Sequence, residues 1–293
     1  MPLLKKITTQ PTAVGALIDC CLRFNQQYIP QPYWTVNERY QVHHATAVPS
    51  TSTLKYGWFC AGIGGNDFTK SSGGLIARIA VPMSAEDTGI YKPNPFVVRP
   101  INADLTQSER AAMGLSGRYK VTGVGNVEYW GYYLKKYIVP NTPPTIKKIV
   151  VTDGVQSITD FVANSTNNAP IPPVLPVGQA NSTNGTYYSP SFIIDLSLSD
   201  AEFEEYQAAA EAIYGSRDYG YISEIGMVAG YEASVPVLNA SLNPAAGTYT
   251  EVLRATITNR LELDIGTSAS GFQLTLDSAA AIPQFGITSI ENP

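Results

Sequence analysis

Leu253-Arg-Ala-Thr-Ile-Thr-Asn-Arg-Leu-Glu-Leu-Asp-Ile265 is the longest alternating run in the chain. Leu253, Ala255, Ile257, Leu261, Leu263 and Ile265 point one way, while Arg254, Thr256, Thr258, Arg260, Glu262 and Asp264 point the other. A period of two with one apolar and one polar face predicts a half-buried antiparallel strand. Phe272, Leu274 and Leu276 continue the period beyond residues 266–271, where Gly266 and Gly271 mark a turn, so a hairpin is expected there. Upstream, Tyr221-Ile-Ser-Glu-Ile-Gly-Met-Val-Ala-Gly230 reads as a buried run.

Moving further out, residues 192–198 read as a strand that leads into the best-specified helix of the sequence. Ser199 and Glu202 have the spacing of a capping box, Asp200, Glu204 and Glu205 favour the positive N-terminal end, and Gly215 follows the last periodic residues, Ile213 and Tyr214. An N-terminal helix is expected over residues 11–27, with Pro11 in its first turn and Val14, Leu17, Ile18, Cys21 and Leu22 on one core-facing stripe. Residues 33–40 read as extended, 55–61 as a strand, 70–118 as irregular loops with short strands such as Phe96-Val-Val-Arg99, and 126–139 as an aromatic strand ending at Pro140. Residues 146–162 read as a hairpin about Asp153-Gly154. The fold class is therefore α+β: mainly antiparallel β-sheet with an N-terminal helix, one well-capped helix in the second half, and long irregular loops. Residues 164–190 are rich in Pro, Asn and Ser and have little to bury, which predicts a loop or linker between an N-terminal α+β domain, 1–163, and a C-terminal β-rich domain, 191–293.

The chain has 293 residues and 44% hydrophobic content, enough for a substantial core, yet only 15% charged residues and a net charge of −5. Soluble domains average roughly 25% charged residues, so much of this surface is uncharged. Non-specific affinity for nucleic acid comes from Lys and Arg neutralising phosphates, so an acidic chain without a basic run is not expected to hold nucleic acid directly. Lys135-Lys136 and Lys147-Lys148 read as solvated strand edge. Neither a signal-peptide core nor an 18-residue apolar span is present in the sequence, and synthesis in a host cytoplasm is expected. Cys20, Cys21 and Cys60 cannot all pair, which fits a reducing compartment; the Asn-x-Ser/Thr triplets at Asn164, Asn181, Asn184 and Asn239 then read as chance matches.

The chemistry-bearing residues are sparse. Gly62-Ile-Gly-Gly-Asn-Asp67 follows a strand but matches neither dinucleotide nor P-loop spacing and has no helix after it, so it reads as a tight glycine turn. His43 and His44, the only histidines, would point to opposite faces of an extended segment, and no Cys-x-x-Cys pair exists, so no metal or cofactor is expected. Asp195, Glu224 and Glu232 are the carboxylates considered for glycosidase-type work, with no supporting context. The chain is not expected to be an enzyme.

Five blocks, Tyr56-Gly-Trp-Phe-Cys-Ala-Gly-Ile-Gly-Gly65, Pro95-Phe-Val-Val-Arg-Pro100 with Asp104-Leu-Thr and Arg110, Tyr129-Trp-Gly-Tyr-Tyr-Leu-Lys-Lys136, the acidic helix ending Ile213-Tyr214, and Ile222-Ser-Glu-Ile-Gly-Met-Val-Ala-Gly230, together resemble minor virion proteins of large contractile-tailed bacteriophages, baseplate components above all. The resemblance implies a virion protein working through contacts with other baseplate, tail or neck subunits in a symmetric ring, without catalytic residues. With 18 Tyr, 9 Phe and 3 Trp, the chain offers many side chains of the types enriched at interfaces. Tyr33, Trp34, Trp58, Phe59, Trp130, Tyr132 and Tyr133 are the candidate interface anchors, and residues 164–190 are expected to order on assembly. The alternatives are a receptor- or glycan-binding tail module, a neck or collar protein, and a cell-wall hydrolase.

Overall fold

The computed structural model describes residues 8–42, 46–70, 76–139, 143–152, 155–164, 185–265 and 272–277. The chain divides into two compact units, Met1–Tyr137 with Ser197–Gln273, and Ile138–Leu196 with Leu274–Pro293. The first part of the larger unit carries β1 (Thr8–Pro11), α1 (Ala13–Arg23), α2 (Val36–Tyr40), β2 (Lys55–Gly62), β3 (Asn66–Lys70), β4 (Ile76–Ala80), β5 (Pro93–Asn94), β6 (Val97–Pro100), α3 (Gln107–Met113), β7 (Leu115–Thr122) and β8 (Glu128–Lys136). The smaller unit supplies β9 (Thr145–Thr152), β10 (Val155–Asp160), β11 (Gly185–Ser191) and most of β12 (Ile193–Leu198). The chain then returns to the larger unit with α4 (Asp200–Tyr214), β13 (Ile222–Leu238) and β14 (Pro244–Ile265), and β15 (Phe272–Asp277) follows. The expected α+β class with a mainly antiparallel sheet and an N-terminal helix is the one observed.

The main sheet runs β1-β14-β13-β2-β8-β6, with β5 added on β2 and β7 on β8. Its register places Thr9 opposite Leu261, Ile225 opposite Leu261 from the other side, and Cys60 opposite Gly226. β14 thus has a hydrogen-bonded neighbour on each edge. That is why the expected hairpin with 272–276 does not form: β15 pairs with β12 instead, and the turn at 266–271 lies outside the described residues. Nor is β14 half-buried. Ala255 and Ile257 enter a core with Val36, Trp58, Cys60 and Val228, while Thr256, Thr258 and Arg260 on the opposite side are also buried.

The helix α1 closes against β14. Thr12 caps it by accepting from the Gly15 N–H at 2.9 Å, and the same hydroxyl donates to the Ile257 carbonyl at 2.7 Å. Gly15 comes so close to the strand that a Cβ there would lie 2.3 Å from the Thr258 carbonyl oxygen. The helix is shorter than expected: Pro11 belongs to β1, Val14 and Ile18 are buried, but Leu17 and Leu22 are exposed and Cys21 is only partly covered rather than core. Residues 33–40 are not extended. Pro32 opens a 3-10 turn, Pro32–Trp34, and Thr35 accepts from the Glu38 N–H to start α2, so local capping outweighs aromatic content. Within 70–118, read as loops and short strands, Thr106 and Glu109 form a full capping box and Gly114 ends α3 in the left-handed region. In α4 the anticipated box of Ser199 and Glu202 is formed and Gly215 adopts the left-handed cap.

The units do not follow composition. β1 and β2 from the first hundred residues share a sheet with β13 and β14 from the last hundred, so a division into 1–163 and 191–293 cuts through one core. β9 and β10 form the expected hairpin, Val155 opposite Thr152, with Asp153-Gly154 outside the described residues. β11, at the end of the 164–190 segment, adds to β9 with Tyr188 opposite Lys148; residues 165–184, including Asn181 and Asn184, lie outside the description, as do His43 and His44.

Candidate interaction surface

A chain with few charges has placed several of them in its interior. Glu224 is fully buried: its Oε1 accepts from the backbone N–H of Gly64 at 3.1 Å and of Lys92 at 3.0 Å, and its Oε2 from the N–H of Tyr91 at 3.0 Å and from Arg260 Nη2 at 2.9 Å. Arg260, also fully buried, donates its other amino group to Asp87 and lies 4.1 Å from the Tyr91 ring centre. The glycine-rich stretch is explained by this arrangement. A Cβ at Gly64 would meet the Lys92 nitrogen at 2.6 Å, so the glycines let two backbone segments converge on one carboxylate.

A second centre gathers on Asp104. Arg118 donates to it through Nε at 2.8 Å and Tyr132 through its hydroxyl at 2.5 Å, while the Arg118 guanidinium lies 3.3 Å from the Trp130 ring centre. Burial, with the neighbouring Asp104 carboxylate, pushes the Tyr132 phenol well above its usual range. Next to it the buried Glu251 accepts from the N–H groups of Gly117, Arg118 and Val252 and from the Tyr249 hydroxyl. Burial still holds the Glu251 carboxyl above the ordinary glutamate range. Cys60 is buried, and burial followed by the Glu224 charge pushes its thiol up to about 12, so it is not a thiolate at neutral pH. These groups hold strands and loops together.

Glu224 and Glu232, both on β13, are not brought together as a working pair. Glu224 is engaged as described, Glu232 lies between Lys136 at 2.9 Å and Lys55 at 3.9 Å, and the backbone of Asp195 bridges to Ile138. Lys135 is not solvated strand edge: it is buried and donates to the Met113 carbonyl at 2.8 Å and to Glu202 at 2.6 Å. Among the described residues no group of three or more His, Cys, Asp or Glu is placed to hold a metal ion, and no helix is long and apolar enough to cross a membrane.

Of the seven candidate anchors, Trp58, Phe59, Trp130, Tyr132 and Tyr133 are buried within the chain. Their rings already have partners: Phe59 meets Phe96 edge to face at 5.1 Å, and Tyr133 stacks on Tyr40 at 4.6 Å. A ring covered by its own chain presents nothing to another, so these five are core. Trp34 is half-buried, and Tyr33 alone is open, at 83% exposure.

Exposed large apolar side chains occur in both units, and seven of them, from Ile138 to Ile193, belong to the smaller one. Its three strands run β10-β9-β11, and no side chain described in β9 or β10 is buried. Val155 is 70% exposed and Ile158 60%; Ile146, at 43%, and Val162, at 74%, flank them. Val155 and Ile158 stand an odd number of positions apart in one strand, so they face opposite sides, and both faces of the sheet carry uncovered aliphatic groups. Lys147 and Asp160, paired at 2.5 Å across the strands, are among its few charges. Small sheets become stable by packing an apolar face against something else, and the open aliphatic groups here are available for such packing.

The fold and its surface define an α+β protein built on an eight-stranded antiparallel sheet, with buried ion pairs inside and an apolar three-stranded sheet exposed. The chain belongs to the family described as Family of unknown function (DUF7208), which matches residues 2–291. No curated protein and no solved structure matches it.

Proposed function

We propose that this chain is a structural subunit of a tailed-bacteriophage particle, a baseplate or tail component, that acts by docking other virion proteins onto the β9–β11 sheet. The observation that carries the docking role is that sheet itself: Val155 and Ile158 on opposite faces are 70% and 60% exposed. Burying an aliphatic side chain of this size contributes about 1.5–3 kcal/mol, so a few of them covered by a neighbour would hold a subunit in place. The phage assignment draws its support from the resemblance of the five sequence blocks. The low charge content agrees with it, since charged residues are depleted at interface cores.

The test is quantitative peptide mass spectrometry of purified particles, with this chain measured against the major capsid protein. A constant low copy number, as a closed ring requires, supports the reading; absence from particles while the chain is abundant in infected cells overturns it. Val155→Lys with Ile158→Lys then addresses the surface. The double variant is expected to fold as the parent does and to be lost from particles, and undiminished incorporation refutes the assignment of this sheet as the contact.

A further inference from the structure

The sheet β10-β9-β11 has two edges, and they are built differently. The Phe161 N–H donates to the Ile146 carbonyl at 2.7 Å, and the register places Val155 opposite Thr152 and Asp160 opposite Lys147. Hydrogen-bonded and non-bonded pairs alternate along an antiparallel ladder, so Val155, Ser157, Thr159 and Phe161 turn their backbone groups toward β9. Gln156, Ile158 and Asp160 turn theirs outward, where no described strand pairs with them. β9 bonds β10 through its even-numbered residues and therefore bonds β11 through Lys147, opposite Ser189, and its alternates. That turns the backbone groups of Thr186, Tyr188 and Pro190 outward on the other edge. Pro190 has no N–H to give there, and Ser189 and Ser191 beside it are buried.

A strand edge pairs with another strand unless Pro, Lys, a bulge or a covering segment blunts it. β11 is blunted by its proline. The sequence of β10, Val-Gln-Ser-Ile-Thr-Asp, holds neither Pro nor Lys, and its register with β9 runs without a bulge. Val155, Ser157, Ile158, Thr159 and Asp160 are all exposed. Such an edge fits an extended strand, and the residue order says which one. Laid antiparallel to itself with Ile158 on the two-fold axis, β10 sets Ile158 opposite Ile158, Ser157 opposite Thr159 and Val155 opposite Phe161. Asp160, its one charged residue, then meets Gln156, so no two carboxylates oppose. The outward positions 156, 158 and 160 face one another, as hydrogen-bonded pairs require. Moving the axis to Ser157 sets Ile158 against Gln156, and moving it to Thr159 sets Ile158 against Asp160.

We propose that this edge is an interface between two copies of the chain, in which β10 pairs antiparallel with β10 about Ile158 and the two sheets join into one. The contact is isologous and closes at two copies. It uses the backbone edge without covering either face of the sheet, and it does not rest on the assembly reading.

The full chain is followed by sedimentation velocity across the micromolar range, where reversible growth from 31.6 kDa to twice that mass is expected. Gln156→Pro removes an outward N–H from each copy while keeping Val155, Ile158 and the bonds to β9, as edge strands allow. It should weaken the pair about tenfold or more, with circular dichroism confirming the fold. In a Cys20→Ser background, which removes the exposed native thiol, Ile158→Cys places two thiols on the axis. The Cα atoms of a hydrogen-bonded antiparallel pair lie about 5.5 Å apart, within disulfide reach, so this variant should cross-link under mild oxidation. Ser157→Cys, which faces Thr159, should not. A single-chain mass throughout the range, a dimer unmoved by Gln156→Pro, or cross-linking of Ser157→Cys as readily as Ile158→Cys each overturns the assignment; should Gln156→Pro fail to fold, the two cysteine variants decide.

Discussion

Arg260→Met tests whether the Glu224 centre holds the larger unit together. The substitution keeps an unbranched side chain of similar length in a fully buried position and removes two ion pairs, to Glu224 at 2.9 Å and to Asp87. Glu224 keeps its three backbone donors from Gly64, Tyr91 and Lys92 but becomes an uncompensated charge with a side chain 1% exposed. Breaking a buried pair from one side costs about 3–5 kcal/mol. Replacing both members leaves no fully buried charge stranded, only Asp87, whose side chain is 29% exposed, so Glu224→Gln with Arg260→Met should cost less than the two single changes summed, by about 1–3 kcal/mol. The assay is equilibrium urea unfolding followed by tryptophan fluorescence and far-UV circular dichroism, with the four proteins at one pH and one salt concentration. Additivity of the single changes to within about 0.5 kcal/mol, the level typical of independent sites, would refute the reasoning. So would an Arg260→Met protein as stable as the parent.

Three further outcomes follow from other parts of the fold. Gly15→Ala should destabilise the chain by about 1–3 kcal/mol, the usual range for overpacking, because the new methyl meets backbone of β14 at 2.3 Å; thermal unfolding reads it. Ser199→Ala removes the cap of α4 and should cost about 1 kcal/mol with the unfolding slope unchanged, and a loss below a few tenths would show that the cap is redundant. Glu251 has a raised carboxyl pKa in the folded chain, so the folded state binds that proton more tightly than the unfolded one. Its contribution to stability is fully present below the ordinary glutamate value, about 4.3, and is lost as pH rises through the higher folded value. Glu251→Gln should flatten the stability profile across that window in urea titrations at stepped pH, and a profile that keeps the parent's slope there would refute the reading.

Local signals carried the sequence reading furthest. The cap of α4 lies within four residues, and Gly215 closes the same helix. The same signal stands at Thr106 and Glu109, but a surrounding stretch dense in Gly, Pro and Ser reads as loop, and α3 is missed there. Periodicity identifies β14 as a strand but not its neighbours. Arg260 is 36 positions from Glu224 and 173 from Asp87, so alternation reads it as solvent-facing when it is sealed in. The aromatic strand β8 shows the same limit at the candidate site. Trp130, Tyr132 and Tyr133 have the composition of an interface, and a strand looks alike in sequence whether its rings meet a partner or its own core. What the sequence does carry in residues 146–162 is the hairpin; a local period does not tell that no described side chain of β9 or β10 is buried.

The order of strands in the main sheet sets a timetable for the growing chain. β2 ends at Gly62 and must wait for β13, which begins at Ile222, while β1 finds β14 only near residue 260. At translation speeds of about 5–20 residues per second, on the order of ten to thirty seconds separate the synthesis of β2 from that of its neighbour. During that interval β2 can pair with β8, through Trp58 and Phe59, but its β13 edge stays open, and sequence-distant pairing of this kind is intrinsically slow. Nascent chains shortened before β14 should therefore engage chaperones and aggregate, even though they carry more than two hundred residues of otherwise intact sequence.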